Sequence, residues 1–191
     1  MIYQIAALAQ DFNLDASEIR LIPAGLFRAN DGRPSGLPGW KLDAENATEI
    51  ITDIASRDDL LIDFEHQSLK TKENGQPAPA AGWIKGLVWR EGVGLIATGV
   101  KWTARARSMI LAGEYRYISP VFSYSAVTGR VEKLFCAGLT NTPGLTGLTD
   151  LSSVAINARQ AVILPRDSDH SIESFNRAFG GLGVFHPDTK R

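Results

Sequence analysis

The chain has 191 residues, 44% hydrophobic and 21% charged, the balance of a packed globular protein and not of a disordered, collagenous or coiled-coil one. Its 20 Lys plus Arg against 21 Asp plus Glu leave a net charge of -1, so no overall positive field draws it to nucleic acid or to an anionic membrane. The lone Cys136 excludes an intramolecular disulfide and a cysteine-built zinc site, no run nears the roughly 18 apolar residues of a membrane span, and the start lacks an export signal's basic region. A cytoplasmic setting is expected.

Residues 2–10 are mostly apolar and are expected to form a short helix or strand. EIRLIPAGLFRA, residues 18–29, reads as a strand interrupted at Pro23 and Gly25, where a bend or bulge is expected. NDGRPSGLPGW follows as a loop, and Asp43 can then cap a helix over residues 44–57, with Ala47, Ile50, Ile51 and Ile54 forming its apolar stripe. LLIDF, residues 60–64, is a buried strand emerging into the polar cluster Glu65, His66, Gln67 and Ser68. Residues 69–80 combine charge, Asn-Gly and two prolines, which predicts an exposed connection.

AGWIKGLVWR and GVGLIATGVKW predict two strands joined as a hairpin around Glu91 and Gly92. Glycines at 82, 86, 94 and 99 imply close backbone approach or strong curvature. TARARSMILAG reads as a helix capped by Thr103 and stopped by Gly113. YRYISPVFSYS, a turn at Thr128 and Gly129, and RVEKLFCAGLTN predict a second hairpin. After Pro143 the pattern dissolves. The expected division is a domain over residues 1–146 and a partly disordered tail over 147–191. About seven strands with one or two helices predict a β-rich α+β fold, a curved sheet or small β-barrel flanked by helices.

The common enzyme motifs are missing: there is no G-x-S-x-G elbow, Walker A loop, G-x-G-x-x-G, H-E-x-x-H or C-x-x-C. What remains is DFEHQ at the end of one strand and a serine inside another, YISPVF. A serine hydroxyl is a poor nucleophile unless a base takes its proton, and a neutral histidine can do so and later protonate the leaving group. His66 and Ser119 are therefore the candidate pair, if neighbouring strands bring them together. Pro120 biases Ser119 to an extended backbone, which disfavours the strand-to-helix elbow of an α/β-hydrolase.

The plainer readings are a hydrogen-bonded edge serine and a histidine bonded to a loop carbonyl. Asp63 or Glu65 can orient an imidazole, yet strand alternation would put both on the face opposite His66 unless the chain turns there. Cys136, in the apolar run LFCAGL, reads as a buried structural thiol. Trp40, Trp83, Trp89 and Trp102 read as core or groove-lining residues, and Arg105, Arg107 and Arg116 as a solvated face.

The blocks LIPAGLFR, LLIDFEHQ, PAAGWI, VKWT, EYRYISPVF and LTNTPGL, in that order over about residues 18–146, resemble the Mu-like prophage I protein family of head-maturation proteases. The resemblance implies a phage prohead serine endopeptidase, with a fold similar to herpesvirus assemblin. It implies cleavage of scaffold and capsid-associated proteins, itself included, with self-association in play, in the bacterial cytoplasm within the procapsid. No cofactor, metal, nucleic acid or membrane is implied. By the same resemblance His66 is the general base and Ser119 the nucleophile.

Related families place a third member, a His or an acid, on the strand after the serine. This chain has Cys136 near that place, so Asp63, Glu65, Cys136 or a water is left to complete the set. The oxyanion donors would be backbone N–H groups, with the glycine-containing turn after Leu139 the place to look. Tail 147–191 is shorter than the scaffold portion such proteins commonly carry, which leaves a remnant of that portion in a truncated prophage, a naturally short form or a processed product as the readings. The rival readings are a non-catalytic capsid-assembly or scaffold-remnant protein that retains the fold, and a cysteine hydrolase built on Cys136 and His66.

Overall fold

The structure, a computed structural model, describes residues 18–155. The element expected at residues 2–10, His170, His186 and the tail beyond residue 155 lie outside the described residues.

In chain order the strands are β1 Ile19–Pro23, β2 Gly25–Phe27, β3 Trp40–Leu42, β4 Leu60–Phe64, β5 Ala80–Ile84, β6 Gly86–Arg90, β7 Gly94–Thr98, β8 Lys101–Trp102, β9 Tyr117–Tyr124 and β10 Val131–Thr140. The helices are α1 Ala44–Ala55, α2 Thr71–Asn74 and α3 Ala104–Leu111, with a 3₁₀ turn at Gln67–Leu69 and a helical turn over residues 151–155. The fold is thus α+β and β-rich, as expected, but the strands do not close into a barrel. They form a five-stranded sheet in the order β8-β5-β4-β10-β9, a three-stranded sheet β1-β7-β6 and a two-stranded ribbon β2-β3.

The barrel expectation fails at one place. Each strand of the first hairpin was expected to be continuous, but the chain breaks at Lys85 on one side and at Gly99–Val100 on the other. β5 and β8 pair in the five-stranded sheet, whereas β6 and β7 pair in the three-stranded one. One long hairpin is therefore bent between two sheets and gives four strands where two were expected; with the β2–β3 ribbon, the described residues hold ten strands. Gly99 permits the bend with a positive φ of 60°, and a Cβ there would lie 3.2 Å from that of Lys85.

Local chemistry accounts for the helices. Asp43 caps α1 in a reciprocal capping box: its carboxylate accepts the Asn46 N–H at 3.2 Å, and the Asn46 side chain accepts the Asp43 N–H at 2.7 Å. Ala47, Ile50 and Ile54 face the core, each isoleucine contributing about 1.5–3 kcal/mol by burial. Asn46 also donates to the Val131 carbonyl at 2.9 Å, tying α1 to β10. In α3 the Thr103 hydroxyl accepts the Ala106 N–H, and Gly113, at φ 76°, follows the helix end.

The five-stranded sheet separates core from site. Successive residues point to opposite faces, and β10 aligns with β4 in parallel and with β9 antiparallel. Ile62, Ala137 and Leu139, with Ile118 on β9, lie on the core side and are almost fully buried. Asp63, Gly138 and Ser119 form a row across β4, β10 and β9 on the opposite side.

The first residues after the second hairpin are integrated with the body. Gly144 O accepts the Asn30 N–H at 2.8 Å, the Thr149 hydroxyl accepts the Arg20 N–H at 3.0 Å, and Leu151 N–H donates to Arg116 O at 2.7 Å. Leu151 is fully buried and joins the core.

Candidate active site

The site begins where β4 ends. Glu65 and His66 both adopt left-handed backbone conformations, with φ of 54° and 56°, at a cost of about 1 kcal/mol or more each for residues with a Cβ. The surrounding structure holds them there. Glu65 N–H donates to Leu139 O at 3.0 Å, and the Thr140 hydroxyl donates to Glu65 Oε2 at 2.9 Å. The Tyr115 phenol also bonds to the Glu65 carboxylate; burial, then that carboxylate, raises its pKa. Asp63 Oδ2 accepts the Ser68 N–H at 2.7 Å on the far side of the corner. Such imposed strain collects at functional positions.

The corner is the turn on which the placement of Asp63 and His66 depended. Two left-handed residues fold the chain back, so the imidazole lies over the sheet face that carries Asp63. It rests on Gly138: a Cβ on that glycine would come within 2.7 Å of Nδ1, 2.8 Å of Cε1 and 3.0 Å of Cγ of His66. Gly138 is the middle of the row, with Asp63 on one side and Ser119 on the other. Two inter-strand spacings separate the outer pair by about 10 Å between backbones, the room an imidazole occupies. A missing side chain on β10 thus makes the seat for His66.

His66 and Ser119 line one cavity of about 320 Å³, together with Trp40, Leu69, Val121 and Leu145. Ser119 is 8% exposed and His66 half-buried. Burial is the main reason the His66 pKa lies below its ordinary value; Asp63 and then Glu65 oppose this, and Lys70 adds to it. The imidazole is therefore neutral near pH 7, the form that accepts a proton. The cavity walls are aromatic and aliphatic: Trp40 packs edge-on against Phe122, with ring centroids 5.1 Å apart. Gly144, in the turn after Leu139, lies on its border.

Cys136 sits on the same sheet face, two residues before Gly138. It is buried, and its thiol is pushed up chiefly by desolvation, the neighbouring Ser68 hydroxyl partly offsetting this. A protonated buried thiol is a poor nucleophile. Arg105 lies over the Phe64 ring at 5.0 Å, and Arg116 pairs with Asp150, so these two are more than a solvated face. Trp40 and Trp102 are buried, whereas Trp83 is exposed. Sequence reasoning placed Ser68 in the polar cluster without a role and missed Gly138 and Thr140. Only Gly138 carried a signal, a glycine inside a strand where another group must approach closely.

Fold and site together define a class: a β-rich α+β protein whose largely apolar cavity carries a strained histidine corner and a strand serine. The chain belongs to the Mu-like prophage I protein family, whose N-terminal domain matches residues 19–152. It is 39% identical over 178 residues to "Protease I" of Escherichia phage Mu, covering 88% of this chain and 48% of that protein. It is 32% identical over 178 residues to the "Mu-like prophage FluMu I protein" of Haemophilus influenzae, covering 86% of this chain and 47% of that protein. The chain thus spans about half the length of these relatives. No solved structure matches it. No helix among the described residues is long and apolar enough to cross a membrane.

Proposed function

We propose that this chain carries the serine endopeptidase of phage head maturation, with Ser119 as nucleophile and His66 as general base. The observation that carries the reading is the seating of the His66 imidazole on Gly138, beside Ser119 and in the same cavity. A relative named as a protease supports the same activity.

The chemistry balances on these two groups. Ser119 Oγ attacks the scissile carbonyl carbon while its proton passes to His66 Nε2. The imidazolium returns that proton to the departing amine, leaving an acyl group on Ser119. Water, deprotonated by the same imidazole, then hydrolyses the ester and restores the hydroxyl. This sequence calls for no metal or organic cofactor. The substrates in this reading are scaffold and capsid-associated proteins, including the chain itself, inside the procapsid. The sheets here do not close, so the assemblin-like barrel forms no part of this reading.

The test is mass spectrometry of a scaffold protein from the same prophage after incubation with wild type, Ser119→Ala or His66→Ala. Discrete fragments from wild type and a loss of at least about 10⁴-fold in both variants are expected. An intact substrate in all three would favour a non-catalytic assembly protein, and cleavage surviving Ser119→Ala would remove that residue from the mechanism.

A further inference from the structure

Two polar atoms near the imidazole stand out because neither has a partner. Among the described residues, Asp63 Oδ1 and His66 Nδ1 are both buried and make no hydrogen bond. A buried unpaired polar atom costs about 1–3 kcal/mol, and here Asp63 Oδ1, His66 Nδ1 and the Ser68 hydroxyl are all orphaned at one corner. Asp63 is fully buried, yet only its other oxygen is engaged, by the Ser68 N–H.

We propose that Asp63 is the positioning residue of His66. Its Oδ1 accepts the Nδ1–H of the imidazole, fixing the tautomer that leaves Nε2 free for the Ser119 proton. The row across the sheet sets the order of the groups: Asp63 on β4, His66 over Gly138 on β10, Ser119 on β9. The contact is expected to form fully with substrate bound, since catalytic hydrogen bonds are often long or poorly aligned without it.

The other two carboxylate or thiol candidates are committed elsewhere. Glu65 takes the hydroxyls of Thr140 and Tyr115 and anchors the strained corner. Cys136 is held as a neutral thiol by burial, so it supplies no anion to stabilise an imidazolium. An acid two residues along the same strand from the histidine corner also removes the need for one after the serine.

This inference takes its chemistry from the serine endopeptidase reading, and its test is chosen to separate the two. The first measurement uses Asp63→Asn, which keeps an acceptor for the Ser68 N–H. The expected result is a kcat loss of about 10³- to 10⁴-fold with KM within about threefold. The charged groups acting on His66 are Asp63, Glu65 and Lys70. Removing the Asp63 charge disfavours the imidazolium, so the acid limb of kcat/KM moves to lower pH, further than in Glu65→Gln. The limb reports the Asp63 charge acting on the ring, and the tautomer measured next reports the hydrogen bond itself.

The second measurement needs no activity and no change at Asp63. In the ¹⁵N NMR spectrum of Ser119→Ala, the neutral His66 ring is expected to be protonated at Nδ1 and bare at Nε2. An Nε2–H tautomer, or near-wild-type kcat in Asp63→Asn, overturns the proposal while leaving the Ser119 and His66 pair standing. An Nδ1–H tautomer in a chain whose wild type cleaves nothing upholds the contact and refutes the protease reading.

Discussion

The His66 imidazole rests on the bare Cα of Gly138, so close that a single methyl group there would lie 2.7 Å from Nδ1. The backbone of Gly138 is ordinary strand, so its need is for space and not for unusual dihedral angles. Gly138→Ala should therefore fold, with an overpacking cost of about 1–3 kcal/mol, but with the ring lifted off its seat. We expect kcat/KM to fall at least about 100-fold, since a displacement near 1 Å costs that much at a reacting centre. Steady-state kinetics beside a urea melt distinguish this from simple unfolding; unchanged kcat/KM would refute the seating argument.

The pH profile follows from the burial of His66. Its pKa is depressed in the folded chain, and the neutral form is the active base. As pH falls through that depressed value the imidazole protonates and kcat/KM drops. The acid limb is therefore expected below about 6.5, the ordinary histidine value. The sign for stability is the same: the unfolded chain binds a proton at higher pH than the folded one, so His66 favours the fold above about pH 6.5 and loses that contribution as pH falls through its folded pKa. A profile of kcat/KM between pH 4 and 9 checks the first expectation, and a limb above 6.5 contradicts it.

Away from the cavity, Asn46 joins a helix cap to a sheet. Its side chain completes the α1 capping box and donates to the Val131 carbonyl at 2.9 Å. Asn46→Ala removes both and leaves a buried carbonyl without its donor. The loss should be about 2–3 kcal/mol, read as a lower urea midpoint with an unchanged m-value. The kcat of the remaining folded protein should stay near wild type, because Asn46 touches no residue of the cavity row.

Cys136 provides the discrimination between nucleophiles. Its buried thiol, with a raised pKa, is expected to resist iodoacetamide in the native chain and to react once the chain is unfolded. A fluorophosphonate should label Ser119 under native conditions, and Ser119→Ala should abolish the label. Rapid native alkylation of Cys136 with parallel loss of activity would instead support the cysteine hydrolase.

Much of the local structure was legible in the residues themselves. The α1 cap at Asp43, the α3 cap at Thr103, the strand LLIDF and the hairpin of β9 and β10 all follow from side-chain chemistry and short-range periodicity. The candidate pair His66 and Ser119 was also legible, as scarce polar groups within apolar strands and through the family resemblance. These features depend on neighbours a few positions apart, which a linear sequence displays directly.

Other features were decided by contacts between distant segments. Gly86 and Gly99 signalled curvature, yet only the pairing of β5 with β8 and of β6 with β7 divides one hairpin between two sheets. Glu65 and His66 carry no glycine signal, yet Leu139, Thr140 and Tyr115 hold the pair left-handed. Once that corner forms, period-two alternation no longer governs where His66 points, and Asp63, Gly138 and Ser119 share its face only through the register of three strands. The sequence determined which groups were available; tertiary register, which brings together residues about 75 positions apart, decided which of them meet.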